Sequence, residues 1–414
     1  MNDNDKRRLS MKTTRKRGDI RPLERYVAKG KNENIEWKEK LLKHRKQIML
    51  RVLIVLAVLV LATVFFYVRY LYKVYTTYEV IHSVEYQVPS GMKVELLGDK
   101  FLVYGNDGAK CINGKGEVVW NITYEMQNPR VDIDGNVVGI ADYNGSVIHM
   151  MNTQGALGNI NTGMPIRQFG VSQKGLAIAV LDDSKITPIY IYDAEGEAKA
   201  YFNTTMRNSG EPVSLCISNS GHLVGISYLY VDSSSFKTNI AFYNFGEVGQ
   251  NKTDNLVSGN TYANAVVPHI EFVGDSRAVA VADNRLMIYS GNEIPASSGE
   301  VLVREEIYSV FCGEEYIALV HGNAEGDERY CIDVYNGDGE CVDTIYYDND
   351  YSEIFFNEDV MVVYGTDFCL IHKVGGIDKY RGEIGPGVLT MMPTNVTNRY
   401  VVMTNAEIQT IELK

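Results

Sequence analysis

Apolar and polar positions along this chain fall into two regimes. From Val52 to Val68 the run VLIVLAVLVLATVFFYV carries no charge and is broken only by Thr63. As a helix rising about 1.5 Å per residue it would cover roughly 26 Å, just short of the hydrocarbon core of a bilayer. Ile48, Met49 and Leu50 extend it at one end, Tyr70, Leu71 and Tyr72 at the other. No polar stripe marks a side that would face water, so the pattern predicts a transmembrane helix over 48–72. Beyond residue 80 the helical period disappears. Short apolar runs alternate there with turns built from Gly, Asn and Asp, the pattern of successive strands.

These runs repeat. A strand, a tight turn and a further strand recur as CINGKGEVVW, IYIYDAEGEAKAYF, LMIYSGNEI and IDVYNGDGECVDTI. Ahead of most copies stands a more apolar strand, such as KFLVYG, LAIAVLD or VMVVYG, and before that a third, such as PVSLCIS or YSEIFFN. Units begin near Val94, Pro129, Met164, Pro212, Ala265, Glu306, Tyr351 and Gly387. Their mean separation is about 42 residues, the length of a four-stranded blade. The last unit supplies only three strands, and Glu79–Val88 has no local partner, so it is expected to complete the last blade and leave no open edge. The fold expected is all-β: an eight-bladed β-propeller over 79–414, with seven blades as the alternative. One transmembrane helix and, over 1–47, a disordered basic tail precede it.

Charge adds a direction. Residues 1–51 carry 17 Lys+Arg against 7 Asp+Glu, whereas from residue 74 onward there are 21 against 45. Only Arg69 and Lys73 follow the apolar run closely. This asymmetry places the tail in the cytoplasm and the propeller outside it, with the helix as a signal anchor at the cell membrane. The charged stretch ahead is too long for a cleaved signal peptide, and no small-x-small site follows. The stretch RRLSMKTTRKRGDIR is expected to contact anionic lipid headgroups. Its Arg17-Gly18-Asp19 lies on the wrong side for adhesion. The acidic outer region disfavours nucleic acid. Six cysteines lie outside, at 111, 216, 312, 331, 341 and 369. In the hairpin YCIDVYNGDGECVDTI, Val334 would oppose Cys341 and Thr344 would oppose Cys331. That turns the two sulfurs to opposite faces, so free thiols are expected.

The repeats resemble those of pyrroloquinoline-quinone-type and WD-repeat-type propellers across 79–414, in pattern and not in motif, since no Trp-Asp dipeptide is present. The layout is also similar to an uncharacterised family, a domain of unknown function, of Gram-positive single-pass membrane proteins with an extracytoplasmic propeller. That resemblance implies a placement in the cell envelope and no chemistry.

Motifs for chemistry are sparse. Quinone propellers dock their blades with tryptophans, and only Trp37 and Trp120 occur here, so no cofactor is expected. There is no Gly-x-Ser-x-Gly elbow, and GVSQKG around Ser172 has the wrong spacing. The outer histidines, at 82, 149, 222, 269, 321 and 372, form no His-x-His or His-Glu-x-x-His pattern. Neither a catalytic residue nor a metal site is expected. DIDGN (Asp132–Asn136) and NGDGE (Asn336–Glu340) offer oxygens around a glycine but too few for a calcium loop, and read as turns. Long connections are expected on one face: 228–238, 321–329, 181–188 and, between blades, 246–262. Tyr228, Tyr230, Phe236, Tyr262 and Tyr330, with Asp327 and Glu328, are the candidate binding residues there. The expected role is a membrane-anchored scaffold for a protein or cell-envelope glycan. The alternative is a glycan-cleaving hydrolase or lyase using Asp182, Asp183, Asp327 or Glu328 near the central channel, although no spacing pairs them.

Overall fold

The computed structural model describes residues 21–414 except Asn208, Ser233, Ser234 and Glu325, with side chains from Trp37 onward apart from Tyr70, Leu71 and Asp232. The first twenty residues of the tail, with Arg17-Gly18-Asp19, lie outside the described residues.

Arg21–Leu71 forms one α-helix. Residues 21–47, assigned above to a disordered tail, are therefore helical. The segment is rich in Glu, Lys, Arg and Leu, with Glu39 four residues ahead of Lys43, and extends a helix that the apolar run has already nucleated. Trp37–Arg69 is, among the described residues, the one helical stretch long and apolar enough to cross a membrane. Its Leu53, Val55, Leu56, Leu59 and Phe65 are all exposed.

Thirty-two strands among the described residues form eight four-stranded antiparallel sheets. Seven use consecutive strands: blade 1 (93–123), blade 2 (129–161), blade 3 (166–204), blade 4 (211–263), blade 5 (269–302), blade 6 (307–347) and blade 7 (353–383). Blade 8 joins Val388–Pro393, Arg399–Thr404 and Glu407–Leu413 to Tyr78–Glu85 from the other end of the chain. Tyr78 lies opposite Leu413 and Glu85 opposite Glu407. Eight blades, and not seven, close the ring.

The apolar pattern explains the stacking. Eight buried clusters each straddle two adjacent blades, one at every blade boundary. The second strand of a blade feeds two of them. In Ala177–Leu181, Ala177, Ala179 and Leu181 pack toward blade 2, while Ile178 and Val180 pack toward blade 4. Because successive side chains on a strand point to opposite faces, such strands read as unbroken apolar runs.

Polar bonds reinforce the boundaries. Trp120 Nε1 on blade 1 donates to the Asn152 carbonyl on blade 2 at 2.7 Å. Between blades 6 and 7, His372 Nδ1 meets Asp378 at 2.6 Å and Nε2 meets Asp343 at 2.8 Å, while the Gly375 amide donates to the same Asp343 oxygen. Burial pulls this imidazole down, but the hydrogen bonds and charges of Asp378 and Asp343 outweigh it and lift its pKa above the ordinary value. All six cysteines are free thiols. The hairpin register differs from the expected one: a bulge between Val334 and Tyr335 sets Tyr335 opposite Cys341 and Tyr346 opposite Cys331.

Candidate functional site

The aromatic residues expected on the loop face separate into two groups. The 228–238 segment is not a loop, because Leu223–Asp232 and Ser235–Asn244 are ten-residue paired strands. Tyr228 is 1% exposed and its hydroxyl bonds that of Tyr243 at 3.0 Å, so it belongs to the core between blades 3 and 4. Tyr262 packs against the core of blades 4 and 5, with its hydroxyl 2.8 Å from that of Tyr289. The Tyr228 ring is not free to meet a ligand, and Tyr262 is half-buried. The 246–255 connection is also placed differently: it joins the third and fourth strands of blade 4 and does not link blades. The fourth strand, Leu256–Ala263, is half exposed and rich in Ser, Gly, Asn and Thr, which makes it read as loop. Tyr230 and Phe236 flank the hairpin tip, with the Lys237 ammonium 4.8 Å from the Tyr230 ring centre. Asp327 and Glu328 are exposed in the 323–329 connection. Asp182 is engaged by Arg167 at 2.7 Å, and Asp183 accepts from the Lys185 amide within its own turn.

Tyr330 is where rings converge. It opens the third strand of blade 6, Tyr308 lies near the start of that blade's innermost strand, and Tyr351 lies in the connection to blade 7. All three positions fall on the face that carries the 323–329 loop. Tyr330 and Tyr351 stand edge to face at 5.2 Å, and Tyr308 meets Tyr330 at 6.2 Å. The Ser309 and Tyr351 hydroxyls are 2.9 Å apart, and Phe311 closes the floor against Tyr351. Arg329 lies over the Tyr330 ring at 5.0 Å and pairs with Asp350 at 2.9 Å, which raises the pKa of its guanidinium. Together they line an open groove of about 760 Å³. Such a surface offers ordered ring faces and edges beside a fixed cation, which suits stacking and hydrogen bonding. Tyr308, Arg329 and Tyr351 were not among the residues singled out from sequence. Their only common signal is an acidic stretch ending in Tyr, as in EEIY, DERY and DNDY.

A second feature lies where the innermost strands face the propeller axis. Asp132 on blade 2 accepts from the Val171 amide on blade 3 at 2.7 Å, and Asp134 accepts from the Gln173 amide at 2.9 Å. The DIDGN run thus latches two blades. Burial first, then the charges of Glu271, Asp134 and Glu95, push Asp132 up to about 7 against the pull of the Val171 amide. Burial and the charges of Glu95 and Glu271 likewise push Glu353 up to about 7. Asp132, Asp134, Cys216, His269 and Glu271 line a cavity of about 350 Å³. The acids proposed above for hydrolysis are not among its lining.

The chain belongs to a family of unknown function, DUF5711, whose match spans residues 71–413. No curated protein matches it. Among solved structures it is similar to Sqt1 from Chaetomium thermophilum bound to the N-terminus of the ribosomal protein L10. The identity is 10%, the TM-score 0.51, and the match covers 81% of this chain and 100% of that one. BamB from Moraxella catarrhalis aligns at 12% identity and a TM-score of 0.46, again over 81% of this chain and 100% of that one. The likeness to Sqt1 is one of fold.

Proposed function

We propose that this member of the DUF5711 family is a membrane-tethered binding scaffold, whose propeller lies outside the cytoplasm and captures a protein partner in the tyrosine groove of blades 6 and 7. The groove carries the proposal. Three tyrosines from separate segments converge there beside a guanidinium that is already paired, and Tyr308 remains 53% exposed. Tyrosine and arginine dominate interface energetics because they bring large contact area at small entropic cost. The ring contacts fix these side chains before any partner arrives, which lowers the cost of association further.

The tether rests on the Trp37–Arg69 helix, and the orientation on the excess of cations before it. The basic stretch ahead of the helix would add contacts to anionic headgroups. Sqt1 supports the choice of a protein partner by fold alone, as a propeller that holds the N-terminus of another protein.

A photo-crosslinking residue at position 308 in the native cell tests the reading, with one at Glu195, in a tight turn on the opposite face, as control. A protein adduct from 308 alone, lost on Arg329→Ala with Tyr330→Ala at unchanged thermal stability, is the expected result. Equal adducts at both positions, or adducts that survive the double substitution, would remove the groove from consideration. A carbohydrate adduct would transfer the role to a cell-envelope glycan.

A further inference from the structure

We propose that the channel of the propeller holds a zinc-class divalent cation between His269, Glu271 and Cys312. This stands apart from the tyrosine groove and from the partner it would bind. His269 and Glu271 alternate on the innermost strand of blade 5, His269–Val273. Ile270 and Phe272, which alternate with them, are buried in the core shared with blade 4. This turns the two polar side chains to the other face of the sheet, toward blade 6, where Val273 on that same face packs with Cys312. Cys312 ends the innermost strand of blade 6, Ile307–Cys312. The stacking of blades brings these three together, and their donor atoms all lie within 4.8 Å of one another. His269 Nε2 and a Glu271 oxygen are already 3.2 Å apart.

Zinc bound by nitrogen and oxygen at about 2.0–2.2 Å and by sulfur at about 2.3 Å sets tetrahedral donors roughly 3–4 Å from one another. Small side-chain rotations therefore convert the observed spacing into a coordination sphere. A nitrogen, a carboxylate oxygen and a thiolate favour a borderline ion such as zinc over magnesium or calcium, which select oxygen alone. The fourth position would open to the cavity lined by Asp132 and Cys216. No Lys or Arg is among the described residues lining that cavity, so the charges of Glu271, Asp132 and Asp134 have no fixed cation there. His269 is 35% exposed on its side chain, which leaves a path for the ion. Binding transfers the Cys312 thiol proton to solvent and forms the sulfur–metal bond in its place.

A second trio, His321, Cys331 and Asp333, has similar spacing, but His321 and Asp333 each also bond a group outside the trio. His321 Nδ1 is engaged by the Gly322 carbonyl at 3.0 Å and Nε2 by Asp333 at 3.1 Å, and Asp333 also accepts from the Thr344 hydroxyl at 2.7 Å. Those outside bonds hold the second trio in place without a metal, and it serves as the internal control.

The full-length chain, purified in detergent and stripped with a chelator, is titrated with Zn²⁺ by calorimetry and with Co²⁺ by absorbance. One equivalent of each ion and a thiolate-to-cobalt charge-transfer band are expected. Cys312→Ser should abolish the band and lower zinc affinity at least tenfold. Cys331→Ser should change neither. Circular dichroism checks folding, and should Cys312→Ser misfold, His269→Gln at its wetter position gives the same affinity reading. Absence of binding by the unaltered chain, a band that survives Cys312→Ser, or a band lost with Cys331→Ser would each overturn the site.

Discussion

The His372 bridge yields the sharpest test of how the blades are held. Replacing His372 with Gln keeps a donor of similar size but removes the cation shared by Asp343 and Asp378. Two charge-assisted hydrogen bonds are at stake, each worth about 1.5–3 kcal/mol when shielded from water. The imidazole is 9% exposed and Asp343 18%, but Asp378 is 37% exposed and keeps Arg381 at 2.8 Å, so its share is discounted for solvent. A loss of about 2–3 kcal/mol near pH 6 follows. Unfolding entropy of roughly 2.1 cal/mol/K per residue, over the unit Val74–Lys414, converts this to a melting shift of about 3–4 °C.

The pH dependence separates charge from shape. The native imidazole has a pKa above its ordinary value, so between the two values the folded chain binds more protons than the unfolded one. Stability from this group is therefore complete below about pH 6.5 and is lost as pH rises through the native pKa. Neutral imidazole donates only one hydrogen bond, leaving one carboxylate facing a lone pair. Thermal unfolding of the full-length chain and of His372→Gln should show a gap near pH 6 that narrows toward about pH 9. An equal gap at both ends would mean that the bridge acts by shape alone. No gap near pH 6 would refute its contribution altogether.

Other perturbations probe the remaining features. Asp132→Asn keeps an acceptor for the Val171 amide but removes a carboxyl whose pKa is raised to about 7. Stability of the native chain should then fall as pH rises from about 4 to 7, and the variant should flatten that fall and gain about 1–2 kcal/mol near pH 8; an unchanged profile would refute it. The Tyr347 hydroxyl is buried and has no hydrogen-bond partner among the described residues, so Tyr347→Phe should leave stability equal or raise it by about 1 kcal/mol in urea titration; a clear loss would contradict this. Removing residues 74–88 unpairs the last blade's outer edge, and size-exclusion chromatography should then show association of open rings, whereas an unaffected monomer would mean that closure contributes little. Cys341 is exposed, so an impermeant maleimide should label it in intact spheroplasts but not after Cys341→Ser; labelling only after lysis would invert the proposed orientation.

The count of blades was legible because the second strands announce themselves. Each is buried on both faces, as Val360–Tyr364 shows with five buried residues in succession, and they recur at irregular spacings of 37 to 54 residues. The outermost strands were harder. Leu256–Ala263 has one face in water and no run of apolar residues, so it passed for loop and carried its neighbouring connection to the wrong face. Tyr228 misled for a related reason. Its alternation with Leu229 and Tyr230 is that of a strand, yet the serines and aspartate that follow suggested a loop beginning earlier than it does. The helix boundary erred because charge was read as disorder, although Glu, Lys and Arg are good helix formers once a helix exists.

The sites themselves resist local reading for a deeper reason. In a propeller, residues that meet at the axis or at a blade boundary come from equivalent positions in neighbouring units, about 40 residues apart in sequence. His269 and Cys312, on the innermost strands of neighbouring blades, are 43 residues apart, and Tyr330 lies 22 residues after Tyr308 and 21 before Tyr351, so no motif scan of adjacent positions could have joined them. The architecture also explains why such groups are tolerated. Eight apolar boundaries hold the ring together, each burying side chains on both partners, and the channel contributes little to that total. Carboxylates such as Asp132 and Glu353 can therefore remain uncompensated at the axis at the expense of some stability. A charge kept where it weakens the fold calls for a counter-charge, and a cation in the channel would supply one.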